Sequence, residues 1–323
     1  MGKIERESCI NRALKKVLVF GGAGFIGANL CRKLLKEGYF VTCFDNFSSG
    51  NRANIDKINN ENFEIINRDI CKNIELENDY DYVINLACPA SPKYYLNKPL
   101  DTAMASTVGV LNVLNFVKKN KKTIMLHSST SEVYGDPNEH PQKESYFGNV
   151  NILGPRSCYD ESKRMAETFI YEYKKIFKLD LRIVRIFNTY GPYMSDDDGR
   201  VVSNFINQAI HNKDITIYGD GSQTRSFCYI DDLIEGILSF LFLKKGNLGP
   251  INLGNPKEIN MITLAQNIIS LTNSKSNIVY KELPEDDPKI RKPDISKAKD
   301  LINFKPSITL NSGLKETIKY FKK

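Results

Sequence analysis

Short apolar runs alternate with longer amphipathic ones through the first half of the chain. Residues 17–20 form a four-residue apolar run, too short for a helix and suited to a buried strand. A glycine-rich turn follows, and then Leu30, Leu34 and Leu35 recur at helical spacing until Gly38 stops the pattern. A second strand, YFVTCFDN, ends in acidic Asp45. Further on, CYDESKRMAETFIYEYKK places Met165, Ala166, Phe169, Ile170 and Tyr173 on one helical stripe. Residues 181–187 then read as another apolar strand. Strands alternating with helices from Val17 to about residue 186 predict an α/β fold with a doubly wound parallel sheet. The chain therefore divides into a dinucleotide-binding domain over 1–186 and a smaller, mainly substrate-binding domain over 187–323. FCYIDDLIEGILSFLF, near 227–251, reads as a return to the first domain.

The glycines sharpen this picture. Gly21, Gly24 and Gly27 stand at GxxGxxG spacing between the first strand and the first helix. Glycine permits a tight turn and close backbone approach to a pyrophosphate, which the helix N-terminus then stabilises. Asp45 lies 18 residues beyond Gly27, where a carboxylate would accept from adenosine ribose hydroxyls and repel a 2'-phosphate. That favours NAD, with nearby Arg52 leaving NADP open.

Tyr159 and Lys163 are four residues apart on a predicted helix, so they share a face. A phenol with a pKa of about 10 is a poor base near neutrality, but a fixed lysine charge and an oxidised nicotinamide ring would both favour phenolate. Tyr159 is the candidate general base.

These features occur together with RDI at Arg68, LACPASP at Leu86, HSSTSEVYGDP, RIFNTYGP at Arg185, DGRVVSNF, YGDGSQTRSFCYIDD, NLGNP and RKPDI at Arg291. With them the chain resembles the extended short-chain dehydrogenase/reductase family over almost its full length. LACPASP, HPQKESYFGNVN, GPRSCYDESKR and DDPKIRKPDISKAK are similar to the UDP-glucuronate decarboxylases of that family. The resemblance implies NAD-dependent conversion of UDP-glucuronate to UDP-xylose by C4 oxidation, loss of carbon dioxide and C4 re-reduction. It assigns catalysis to Tyr159, Lys163, Thr130, Ser131, Glu132 and Arg291. Cofactor contacts fall to Gly21, Gly24, Phe25, Ile26, Gly27, Asp45, Asn46, Ser48, Ser49, Asp69, Ile70 and Leu86, with Tyr159 and Lys163. Substrate contacts fall to Asn188, Arg200, Tyr218, Gln223 and Arg225.

Ser131 discriminates within the family. Related 4,6-dehydratases carry an Asp there that protonates a departing C6 hydroxyl. A carboxylate would repel the C6 carboxylate of a glucuronate, whereas a hydroxyl can donate to it. Epimerases usually lack the following glutamate as well. Other expectations compete with decarboxylation to UDP-xylose: a 4,6-dehydratase or epimerase, a decarboxylase that releases the 4-keto pentose, and a catalytically silent NAD-binding regulator. One departure bears on substrate identity. Relatives usually carry a lysine in a TxKT run after LACPASP, and Met104 stands in that place, while Ser162 replaces a frequent glycine.

Composition adds little. The net charge of +7 comes from scattered lysines without a basic block, which predicts no nucleic-acid partner. The polar N-terminus and the lack of any apolar run approaching about 18 residues predict no membrane partner and a cytoplasmic enzyme. Seven cysteines without CxxC spacing fit a reducing compartment, and three histidines without HxxH spacing predict no metal. Apolar stripes on the helices around residues 101–119 and 159–175 could form core or the four-helix seam of the homodimer usual in the family.

Overall fold

The computed structural model describes residues 14–244, 249–282 and 290–323. The polar N-terminal stretch and the first part of DDPKIRKPDI lie outside them. The first half builds β1 (Lys16–Phe20), α1 (Phe25–Lys36), β2 (Phe40–Asp45), β3 (Phe63–Asn67), β4 (Tyr82–Asn85), α2 (Pro92–Asn97), α3 (Pro99–Met104), α4 (Val110–Lys118), β5 (Ile124–Thr130), α5 (Ser157–Phe177) and β6 (Leu181–Ile186). The second half adds β7 (Thr189–Tyr190), α6 (Val201–Ile210), β8 (Ile215–Tyr218), β9 (Thr224–Ser226), β10 (Cys228–Tyr229), α7 (Ile230–Leu241), β11 (Ile251–Leu253), β12 (Glu258–Asn260), α8 (Met261–Thr272), β13 (Ile278–Lys281), β14 (Ile290–Arg291), α9 (Ser296–Ile302) and α10 (Leu310–Phe321).

Seven strands form one sheet in the order β11-β6-β5-β4-β1-β2-β3, and each neighbouring pair is parallel. Strand order reverses between β1 and β4, which places a crevice at the C-terminal strand ends where ligands bind in such folds. Alternation along β1 shows how both faces are filled. Val17 and Val19 join the core shared with α1 and α7, while Leu18 and Phe20 join the core under α4 and α5. Each such buried side chain contributes roughly 1.5–3 kcal/mol.

The second half does not separate cleanly. α7 packs against α1, and β11 extends the main sheet beside β6, so the chain re-enters the first layer after its excursion. Segments before and after that re-entry build the small sheets β12-β9-β14 and β13-β8, with α6, α8 and α10.

α3, a π turn at Ala105–Gly109 and α4 run on as one helix of 20 residues, Pro99–Lys118. An 18-residue window of it reaches a mean hydropathy of 1.3, so by length and composition it could cross a membrane. In the sequence Asp101 and polar residues such as Thr102, Ser106, Thr107 and Asn112 interrupt its apolar character. In the fold Val110, Val113, Leu114 and Val117 are buried in the core under the sheet, while Leu100 and Met104 face outward.

Candidate active site

The glycine turn sits where β1 hands over to α1. Gly21 adopts φ +77°, and a Cβ there would lie 2.8 Å from the backbone of Leu86 and Ala87. A Cβ on Gly27 would lie 2.2 Å from the Gly21 carbonyl, so only glycine lets α1 start this close to β1. α1 begins at Gly24 with no side-chain cap and no acidic residue in its first turn, leaving its amide end open to an anion. Asp45 closes β2 and accepts from Ala23 N at 3.0 Å and Phe47 N at 2.8 Å. Burial pushes its carboxyl up, and those two amides pull the other way. Asp45 thus shapes the loop it would also serve. Asp45, Asn46, Ser48, Ser49, Asp69, Ile70 and Leu86 line a small cavity beside the glycine turn. These residues fit NAD: a bare helix N-terminus for the pyrophosphate, an acidic strand end for the ribose, and a cavity joining the two.

A larger cleft of about 1160 Å³ adjoins this cavity. Gly21, Gly24, Phe25, Ile26 and Gly27 line one end, and Thr130, Ser131, Glu132, Tyr159 and Lys163 line its middle. Asn188, Arg200, Tyr218, Gln223 and Arg225 line the far side. The sequence-predicted catalytic and substrate residues therefore converge on one space, except Arg291.

β5 delivers Thr130 at its C-terminal end, where the threonine caps the following turn by accepting from Glu132 N at 3.2 Å. The buried Tyr159 phenol is hydrogen-bonded to Thr130 and stacks on Tyr95, with ring centroids 5.1 Å apart and planes 9° from parallel. Lys163 Nζ donates to Ser128 O at 2.9 Å and lies 5.9 Å from the Tyr159 ring centroid. Burial, and next the neighbouring Cys88 thiol, raise the Tyr159 pKa; the Thr130 bond and the Arg200 charge pull it down. Burial also lowers the Lys163 pKa. Desolvation thus dominates at Tyr159 and holds the phenol protonated, a state that added positive charge would oppose. His127, buried with Nδ1 3.3 Å from Asn85 Nδ2, is held neutral by burial and by the charge of Lys163.

Glu132 is the most heavily engaged group. Its Oε1 accepts from Ser131 Oγ at 3.0 Å, and its Oε2 accepts from Arg291 Nη2 at 3.0 Å and from Arg156 Nη2. Burial alone would raise its pKa; the Arg291 and Arg156 charges win and bring it down to about 2. Ser131 therefore spends its hydroxyl on Glu132 instead of presenting it to a ligand. Arg291 approaches this carboxylate from the far side. It is buried behind the cleft wall, donating to Gly135 O at 2.7 Å as well as to Glu132, so it reaches the cleft through Glu132. β14 sets it beside Arg225 of β9, which does line the cleft. A strap around Gln142 fixes β14: Gln142 N donates to Lys292 O, Lys292 N to Gln142 Oε1, and Asp294 N to Gln142 O.

Met104 is half-exposed and lies outside the cleft lining. Sequence reasoning missed Arg156, although its GPRSCYDESK segment was in view, because the partner of a cap residue 24 positions from Glu132 is set only by tertiary packing. It also missed Tyr95, whose aromatic character in SPKYYL was the one available signal. Among the described residues, no group of three or more His, Cys, Asp or Glu side chains is arranged to hold a metal.

The profile of the NAD dependent epimerase/dehydratase family matches residues 17–254. UDP-glucuronic acid decarboxylase 1 of Danio rerio is 47% identical over 309 residues, covering 95% of this chain and 72% of that protein. The Arabidopsis thaliana protein of the same name is 47% identical over 314 residues, covering 97% of this chain and 71% of that one. Among solved structures, UDP-glucuronic acid 4-epimerase from Bacillus cereus, in complex with UDP-glucuronic acid and NAD, superposes with a TM-score of 0.86 at 31% identity. That match covers 95% of this chain and 99% of the epimerase. The chain belongs to the NAD dependent epimerase/dehydratase family and, along nearly its whole length, is similar to its UDP-glucuronic acid decarboxylases.

Proposed function

We propose that this chain is an NAD-dependent UDP-glucuronate decarboxylase that forms UDP-xylose. The observation that carries the reading is Glu132, ionised and fixed by Ser131, Arg156 and Arg291 next to the Thr130 and Tyr159 pair. NAD, when bound at the glycine turn, supplies the hydride acceptor at C4, the hydride donor in the last step, and positive charge beside the phenol. Tyr159 takes the C4 hydroxyl proton, with Thr130 holding the same oxygen and Lys163 electrostatically favouring phenolate. The resulting 4-keto sugar is a β-keto acid, so the C5–C6 bond breaks with its electron pair delocalised onto the C4 oxygen. Tyr159 and Thr130 stabilise that oxygen. Glu132 serves proton delivery to C5, and Arg291 acts through Glu132. Arg200 and Arg225 suit bidentate contacts with the diphosphate.

Purified protein mixed with UDP-glucuronate and followed by proton NMR should yield UDP-xylose over many turnovers. Tyr159→Phe should lower that rate by about a thousandfold or more with NAD affinity little changed, as removal of a general base and its hydrogen bond predicts. Accumulation of a 4-keto pentose alone would instead mean release before C4 re-reduction. The same reading extends to a homodimer, supported by the apolar outer faces of Pro99–Lys118 and α5, where Leu100, Met165, Tyr171 and Ile176 are exposed. It extends also to a cytoplasmic setting, supported by the free Cys31, Cys43, Cys71, Cys88, Cys158 and Cys228.

A further inference from the structure

Asp160 follows Tyr159 on α5 and is buried, yet its Oδ1 has no hydrogen-bond partner. Its Oδ2 lies 3.9 Å from Arg156 Nε, and the same guanidinium is bound through Nη2 to Glu132. The charged groups facing Asp160 are Glu132 from the turn after β5, Arg291 from β14, and Arg156 and Glu161 from its own helix. Two arginines and two carboxyls thus share one buried cluster. With both carboxyls ionised these four groups sum to zero, and protonating one leaves a single positive charge that, with Arg225 of β9 acting on Glu132, complements a sugar carboxylate.

The carboxyl that holds such a proton is Asp160. Glu132 is held by both arginines and by Ser131, whereas Asp160 has a distant arginine on one oxygen and nothing on the other. Burial, and then the Glu132 charge, push the Asp160 carboxyl up to about 7, and the arginines recover only part of that. A uronate entering beside Glu132 adds negative charge and raises it further.

We propose that Asp160 is a proton reservoir coupled to the substrate carboxylate: it takes up a proton when UDP-glucuronate binds beside Glu132 and yields that proton when C5 is protonated. This rests on the decarboxylase reading above. Decarboxylation consumes one proton per turnover. The C5–C6 bond breaks, carbon dioxide leaves, and the electron pair stays on C5 and the C4 oxygen. Glu132 delivers a proton to C5 and ends ionised as it began, and Asp160, coupled to it by charge across Arg156, gives up its proton in the same step so that the count balances. Asp160 is left as the carboxylate that balances the arginines once the uronate charge is gone. It acts through Glu132 and is a positioning residue, since it does not line the cleft.

The test is calorimetric titration of NAD-loaded Tyr159→Phe protein, silenced for turnover, in buffers of different ionisation enthalpy at about pH 8. UDP-glucuronate should take up about one proton on binding and UDP-xylose close to none. Asp160→Asn in the same background should bind UDP-glucuronate without the uptake. Equal uptake with the two ligands, or undiminished uptake in Asp160→Asn, overturns the proposal. If Asp160→Asn does not melt cooperatively, Asp160→Ser replaces it, and equal uptake with the two ligands on the parent still overturns the proposal. Failure of the decarboxylase reading looks different: wild-type protein would then form no UDP-xylose, whatever the proton count.

Discussion

Glu132 shows how one side chain can carry both stability and chemistry. Its carboxyl is depressed to about 2 from an ordinary value of 4.5, because two arginine charges outweigh desolvation. The unfolded chain therefore binds more protons between those values. The stability this group contributes is present above about pH 4.5 and is lost as pH falls through about 2, on the order of 3 kcal/mol. Glu132→Gln would leave Arg156 and Arg291 buried without their shared countercharge, which costs about 3–5 kcal/mol. Urea denaturation at neutral pH should show that loss, and the variant's stability should fall less steeply with acid than the wild type's. Equal acid slopes would remove Glu132 as the titrating group.

At the scale of elements, the β1–turn–α1 unit is fixed by clearance. Gly27→Ala would drive a Cβ to 2.2 Å from the Gly21 carbonyl and 2.7 Å from Gly22 Cα, both backbone atoms that cannot swing away. α1 must then shift off β1, spoiling the amide end that faces the cofactor. We expect NAD affinity to drop by at least about tenfold, or 1.4 kcal/mol, as read by fluorescence titration, with a lowered melting temperature. Unchanged NAD binding would mean that the turn is not the pyrophosphate site. The Gln142 strap makes the complementary point, since Arg291 depends on a backbone pairing with a segment about 150 residues earlier in the chain.

For the whole molecule, the unresolved balance lies on the outer faces of Pro99–Lys118 and α5. Leu100 is 78% exposed and Ile176 62%, although both belong to helices whose opposite faces are buried in the core. We expect these exposed apolar side chains to meet a second copy of the chain. Light scattering at micromolar concentration should give twice the chain mass, and Met165→Glu, placing a charge on that face, should shift the protein toward one chain mass. A wild-type protein of one chain mass would refute the dimer.

How much the sequence determined by itself follows from which interactions are local. The parallel sheet, the glycine turn, Asp45 and the Tyr159–Lys163 pair were legible because strand period, helical spacing and steric need for glycine are properties of neighbouring residues. The two-layer core followed from alternation along single strands such as β1. Only the tertiary structure decided the electrostatics. Arg291 stands behind Glu132 and outside the cleft, Arg156 shares its carboxylate, Met104 faces outward, and desolvation raises the pKa of the Tyr159 phenol. Each of these depends on which charges are buried together and how far water is excluded, and those quantities have no period along a chain.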